Sequence, residues 1–182
     1  GVKPRSSIHT QYKKSRMGHL IIVGQYLKQG QGMQTTFPRL LLKHASERPH
    51  AAAMREKEYG IWQTTSWGEF ADMVRHIACG LHQSGLTRGE HLVVVGSNRP
   101  RLNATMLAAQ SLGAIPVPLY QDAAAPECVF PLNNAEVRFC VVEDQEQVDK
   151  IMEIREQCPK IEHVFYDDPR GLRNYDEPGL AS

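Results

Sequence analysis

The sequence predicts an α/β domain: a largely parallel sheet with flanking helices, preceded by an N-terminal β-hairpin. Three observations carry that reading. Four short apolar runs, HLVVVG (91–96), AIPVPLY (114–120), RFCVV (138–142) and EHVFY (162–166), begin about every 23 residues. Stretches with helical spacing lie between them. The runs are continuous rather than alternating, as in strands covered on both faces. Strands that alternate with helices imply a parallel sheet with right-handed crossovers.

The elements follow in order. MQTTFPRLLLKHASERP (33–49) reads as a short helix carrying Leu40, Leu41 and Leu42. AAAMREKEYGIWQTTSW (51–67) reads as two strands around a polar turn at 57–60. Ser66-Trp67-Gly68-Glu69 is a capping box, in which the hydroxyl and the carboxylate satisfy free N–H groups at a helix start. Trp67, Phe70, Val74, Ile77, Ala78 and Leu81 then recur at helical spacing, so one face is buried, and Gly85 supplies the stop. Pro100 opens the next helix, with Leu102, Met106, Ala109 and Leu112 on one side and Gly113 at its end. A short helical stretch follows Pro126. Asp144 and Gln147 cap a last helix, which carries Val148, Ile151 and Met152 and stops at Cys158-Pro159.

The run at 114–120 holds Pro116 and Pro118, and proline cannot donate to a sheet ladder. Alternate residues of a strand direct their N–H groups to opposite neighbours, so both missing donors lie on one side. Ile115, Val117 and Leu119 remain able to pair on the other. The strand is therefore one-sided: a sheet edge, the expected case, or a strand with an interrupted neighbour. On the functional reading its end delivers Tyr120 and the following loop to a cleft on the C-terminal side of the sheet, where ligands of α/β folds sit.

Composition sets bounds. The 182 residues suit one domain of ordinary size, and 41% hydrophobic with 23% charged residues is globular. No apolar run approaches the roughly 18 residues that span a bilayer. HLIIVGQYL (19–27) is far too short and lacks a secretory cleavage site. The four cysteines show no CxxC spacing, so reduced thiols in a cytoplasmic protein are expected. Residues 1–32 hold six Lys or Arg and no acid, and read as a basic, unstructured extension. The remainder carries a net charge of −5, which argues against a nucleic-acid partner.

Candidate sites are few. Asn98 and Arg99, in GSNRP (96–100), sit at a strand end before a helix, where backbone amides can face an anion. With Tyr120 they are the ligand-lining candidates. No catalytic and no metal-binding residue is assigned. His76, Cys79 and His82 lie three apart on one helix, but that spacing drifts round the helix and no fourth ligand is evident. Glu143 and Asp144 follow a strand, where metal-binding acids often sit, yet Asp144 is already the helix cap. No GxxxxGK[ST] loop occurs, and GQGMQT (30–35) has no strand before it. A dinucleotide-binding enzyme is disfavoured, because no glycine fingerprint follows the 91–96 strand.

Several phrases, in this order, carry a family resemblance: TFPRLLLKHASERP, REKEYGIWQTTSWGEFADMVRHIACGL, GLTRGEHLVVVGSNRPRL, AAQSLGAIPVPLYQDA and VVEDQEQVDKI. They resemble the N-terminal region of AMP-forming acyl-CoA synthetases, the bacterial long-chain fatty-acid–CoA ligase type above all. The resemblance runs from about residue 33 to 182 and rests on many positions rather than one motif. It implies that 33–182 is the N-terminal α/β subdomain of an adenylate-forming ligase. It also implies a two-step reaction using fatty acid, ATP, Mg²⁺ and CoA. The family's Ser/Thr/Gly-rich phosphate loop, adenine motif, ribose-binding Asp and catalytic Lys have no match here. The chain alone is therefore expected to be inactive and to bind no cofactor tightly, while contributing scaffold, tunnel wall, homodimer contact or peripheral membrane contact. The alternative is a stand-alone binding or regulatory module built on the same fold. Pro131 departs from the family in a helical segment, and an interior proline costs about 3 kcal/mol, so a kink or break is expected there.

Overall fold

The computed structural model describes residues 35–181, so the extension expected at 1–32 lies outside the described residues. Helix α1 (Phe37–Glu47) leads into a hairpin of β1 (Ala52–Glu58) and β2 (Ile61–Ser66). Then come α2 (Trp67–Gln83), β3 (His91–Val95), α3 (Pro100–Leu112), β4 (Ile115–Leu119), α4 (Ala125–Asn134) and β5 (Phe139–Val142). Helix α5 (Gln145–Glu153), a 3₁₀ turn (Arg155–Gln157), β6 (His163–Tyr166) and β7 (Leu180–Ala181) complete the chain.

Strands β3 to β7 form one parallel sheet in the order β4-β3-β5-β6-β7. Side chains of β3 and β5 alternate between two cores, as the two-residue period of a strand requires. Leu92, Val94, Phe139 and Val141 pack with α1, α2 and α3. Val93, Val95, Cys140 and Val142 pack with α4 and α5 on the opposite face. Both faces are covered, which is why the strands are unbroken apolar runs.

Strand β4 is an edge. Its Ile115 N–H donates to Glu90 O of the neighbouring strand side at 2.8 Å, and by alternation the prolines face outward. The capping box is formed: Ser66 Oγ accepts from Glu69 N and Glu69 Oε2 accepts from Ser66 N at 2.8 Å. Asp144 caps α5 through Gln147 N.

Four details differ from the sequence reading. The hairpin turn is two residues, Tyr59 and Gly60, both at positive φ (47° and 81°), the backbone twist that matches paired strands. Helix α3 is buried well beyond one stripe, with Ala104, Thr105, Ala108 and Ser111 enclosed, because α1 and α2 pack over its far side. Helix α4 runs through Pro131 as one element; the proline stands in its last turn, and Ala125, Cys128 and Leu132 hold the helix in the core. Helix α5 ends at Glu153, and the 3₁₀ turn occupies the stretch before Cys158-Pro159.

Candidate functional site at the strand ends

From β3 the chain moves to β4 on one side, and from β5 it moves to β6 on the other. The ends of β3 and β5 are therefore the point where the winding reverses, and the crevice between the following loops is the expected ligand position of such a sheet. Gly96 to Arg99 leave β3 there, and Glu143 leaves β5 there.

The protein fills that crevice itself. Glu143 Oε2 accepts from Ser97 N at 2.5 Å, and Glu143 Oε1 accepts from Arg99 Nε at 2.7 Å. Burial opposes ionisation of Glu143, but its bonds from the Ser97 hydroxyl and amide and from Arg99 outweigh it and hold the carboxyl below the ordinary range. The anion expected at this helix entry is thus a side chain of the chain. Gly96 makes the approach feasible: at φ +155° a Cβ would stand 2.5 Å from Leu102 Cδ1 and 2.6 Å from Glu143 Cβ.

A cleft of about 460 Å³ opens beside this plug, between the hairpin and the strand ends. Arg99 Nη1 reaches Glu56 of β1 at 3.4 Å, so one guanidinium ties the hairpin to the sheet. Arg101 Nη1 pairs with Asp167 at 3.1 Å, and Arg170 pairs with Asp168. Arg170 Nη1 also donates to Tyr59 OH, at the hairpin tip, at 2.9 Å. Burial pushes the Asp167 carboxyl up, against the opposing pull of Arg101. A second, apolar hollow of about 410 Å³ lies between α2, α3 and the sheet, lined by Ile77, Leu81, Val141 and Phe165.

Of the three candidates, Arg99 lines the cleft. Asn98 Oδ1 instead accepts from Asn103 Nδ2 at 2.8 Å, bracing the start of α3. The Arg99 amide donates to Ser97 O at 2.8 Å, which removes it from anion recognition. Tyr120 stands at the end of the edge strand, 72% exposed, with its hydroxyl bonded to Asp122, which raises it. The structure does not bring these three together. Asp167 and Asp168 are the polar residues that sequence reasoning passes over, and it weighs Glu143 only as a metal-binding acid. The legible signal is position, since all three lie within two residues of a strand's C-terminal end.

Among the described residues no three His, Cys, Asp or Glu side chains stand close enough to hold a metal ion. All four cysteines are free. Cys140 is the most deeply placed, and burial pushes its thiol up to about 12, so it is unreactive. No helix among the described residues is long and apolar enough to cross a membrane.

Comparison with known proteins gives the geometry its family. The chain is 28% identical over 127 residues to the long-chain-fatty-acid–CoA ligase ACSBG2 of Mus musculus, covering 69% of this chain and 19% of that ligase. It thus spans about a fifth of the length of that long-chain ligase. It is 29% identical over 130 residues to the uncharacterised protein Rv1549 of Mycobacterium tuberculosis (strain ATCC 25618 / H37Rv), covering 71% of each chain, so those two are about equal in length. In fold it is similar to coronafacic acid ligase from Pectobacterium brasiliense, with a TM-score of 0.71 and 20% identity over 81% of this chain and 28% of that one. The pattern of the family described as AMP-binding enzyme matches residues 41–179, most of the sequence, and the chain belongs to that family.

Proposed function

We propose that the chain is the N-terminal region of an ATP-dependent, AMP-forming long-chain fatty-acid–CoA ligase, and that it is inactive alone. In such a ligase a fatty-acid carboxylate attacks the α-phosphate of ATP and pyrophosphate leaves; CoA thiolate then displaces AMP. Positive charge and Mg²⁺ stabilise the phosphoryl transfer. The observation that carries this reading is the family match over 41–179, laid on a sheet whose ligand crevice is already plugged.

The described residues do not fit ATP or Mg²⁺. Ser97 N–H and Arg99, the donors at the winding reversal, are taken by Glu143, and Arg101 and Arg170 are paired with Asp167 and Asp168. No reaction step is therefore routed through these residues. Their contribution is scaffold, with Arg99 lining a cleft that the rest of the ligase completes. Four free cysteines suit a cytoplasmic setting.

A second reading is a non-catalytic module on the same fold, favoured by the match to Rv1549, which extends over 71% of that protein. One measurement separates the two: the intact mass of the native protein, detected with an antibody to residues 33–182. A mass several times 20.5 kDa supports the ligase, and a mass near 20.5 kDa supports the module. ATP–pyrophosphate exchange by the isolated chain is expected to be nil; measurable exchange would overturn the assignment of chemistry to downstream residues.

A further inference from the structure

The apolar hollow between α2, α3 and the sheet lies where the cover of the sheet thins. On this side Val141 of β5 is buried, but the next strand is only half covered. Val164 of β6 faces the opposite core and is fully buried, whereas His163 and Phe165, which alternate with it, are partly exposed. Their rings continue a row from Phe139, with successive centroids 5.0 Å and 5.9 Å apart. Ile77 of α2 faces the same hollow and is also only partly buried. At the mouth stands Gly80, inside α2, where an added Cβ would meet nothing within 4 Å among the described residues. Glycine is a poor residue for a helix interior, and its use there is to let another backbone approach closely. No described segment makes that approach.

We propose that this hollow is covered by the chain's own residues 19–27. Length and place select the occupant. The 34 residues before Thr35 lead directly into α1, which packs on α2 and α3, the two helices that line the hollow. Those residues hold one continuous apolar stretch, Leu20-Ile21-Ile22-Val23, followed by Tyr26 and Leu27. Residues 28–35 connect it to α1 and reach up to about 26 Å, roughly the length of α2. The stretch is too short to span a bilayer. Set against Ile77 and Phe165, it takes apolar surface of both partners out of water. The inference does not rest on the ligase reading; it holds equally for a free-standing module.

The test uses the full chain with a benzophenone amino acid in place of Ile22. Illumination should join residue 22, within a single chain, to peptides from α2 around Gly80 or from β6, identified by mass spectrometry. Gly80→Leu fills the mouth of the hollow without a clash among the described residues. It should lose that cross-link while the circular dichroism of the fold is kept. In the unlabelled chain, Leu20→Ser/Ile22→Ser should uncover the hollow and raise the fluorescence of an apolar dye above the parent's. Adding Gly80→Leu should lower it again. A cross-link that survives Gly80→Leu, maps to another surface or never forms would overturn the proposal. So would a parent that binds the dye as strongly as the serine variant, since its hollow would already stand open to a partner chain. Cross-linking between two chains only would give the hollow to a second copy and overturn it too.

Discussion

Arg99 and Glu143 lock the C-terminal ends of two adjacent parallel strands: Arg99 Nε donates to Glu143 Oε1 at 2.7 Å, with the carboxylate only 13% exposed and the guanidinium 43% exposed. The pair occupies the place where a sheet of this winding receives its ligand. Glu143→Gln keeps an oxygen for Ser97 N–H but removes the charge facing Arg99. A loss of about 1–2 kcal/mol is expected at neutral pH, in the range of hydrogen bonds to charged groups. The folded Glu143 carboxyl is held below its ordinary value of 4.5, so its contribution is present above the unfolded value and disappears as pH falls through the folded one. Urea denaturation of parent and variant should therefore differ fully at pH 7 and converge in acid. A gap independent of pH would assign the loss to packing rather than charge.

Gly96 makes the same plug possible from the other strand. At φ +155° only glycine is comfortable, and an added Cβ would collide with Leu102 and with Glu143 itself. Gly96→Ala combines backbone strain with overpacking, and a loss of about 2–4 kcal/mol is expected. Glu143→Gln leaves the Glu143 Cβ in place, so that background should not rescue it. Additive losses in the double variant would mean that the clash does not act through the carboxylate; a sub-additive sum would show that Gly96 serves to admit the carboxylate.

Much of this fold is legible because the signals are local. Ser66 and Glu69 are three residues apart, and their capping box forms as read. Pro116 and Pro118 disclose an edge before any partner strand is known. What stays hidden depends on packing across long separations. Leu180–Ala181 joins the sheet as a two-residue strand, too short to show a period. Helix α3 is buried beyond the stripe that Leu102, Met106, Ala109 and Leu112 mark, because the helices over its far side, α1 and α2, are set by the tertiary fold. The cleft pairs Arg99 with residues 43 and 44 positions away, Glu56 and Glu143, and no spacing rule reaches that far. Asn98 shares the loop of Arg99 yet turns to Asn103 at the start of α3, and Tyr120 ends the edge strand β4, one strand away from the crevice.

Asp167 offers a test of opposite sign. Burial raises its carboxyl above the ordinary 3.8, and its partner Arg101 is 65% exposed, which weakens the compensation. A group whose folded value is raised stabilises below its unfolded value and loses that benefit as pH rises through the folded one. At neutral pH the charged form is therefore a liability. Asp167→Asn should raise the melting temperature at pH 7, by the equivalent of up to about 1 kcal/mol, and bring no gain at pH 3. A lower melting temperature at pH 7 would mean that the Arg101 pair outweighs the burial.

The edge prolines act by withholding donors. By alternation, the outer side of β4 presents the carbonyls of Pro116 and Pro118 with no N–H between them, so a second strand cannot close a ladder there. Pro116→Thr/Pro118→Thr restores both donors on a five-residue strand that keeps its pairing with β3. Removing two prolines also loosens the unfolded chain, at about 0.4–1 kcal/mol each. The expected result is a modest drop in stability together with clear self-association in sedimentation velocity, at concentrations where the parent shows less. Pro116→Lys/Pro118→Lys restores the same donors but adds charge that repels a pairing strand, and it should sediment like the parent. If the threonine variant also sediments like the parent, the prolines serve the geometry of the strand and not its protection. If the lysine variant associates as strongly as the threonine one, the contact that forms is not an edge-to-edge ladder.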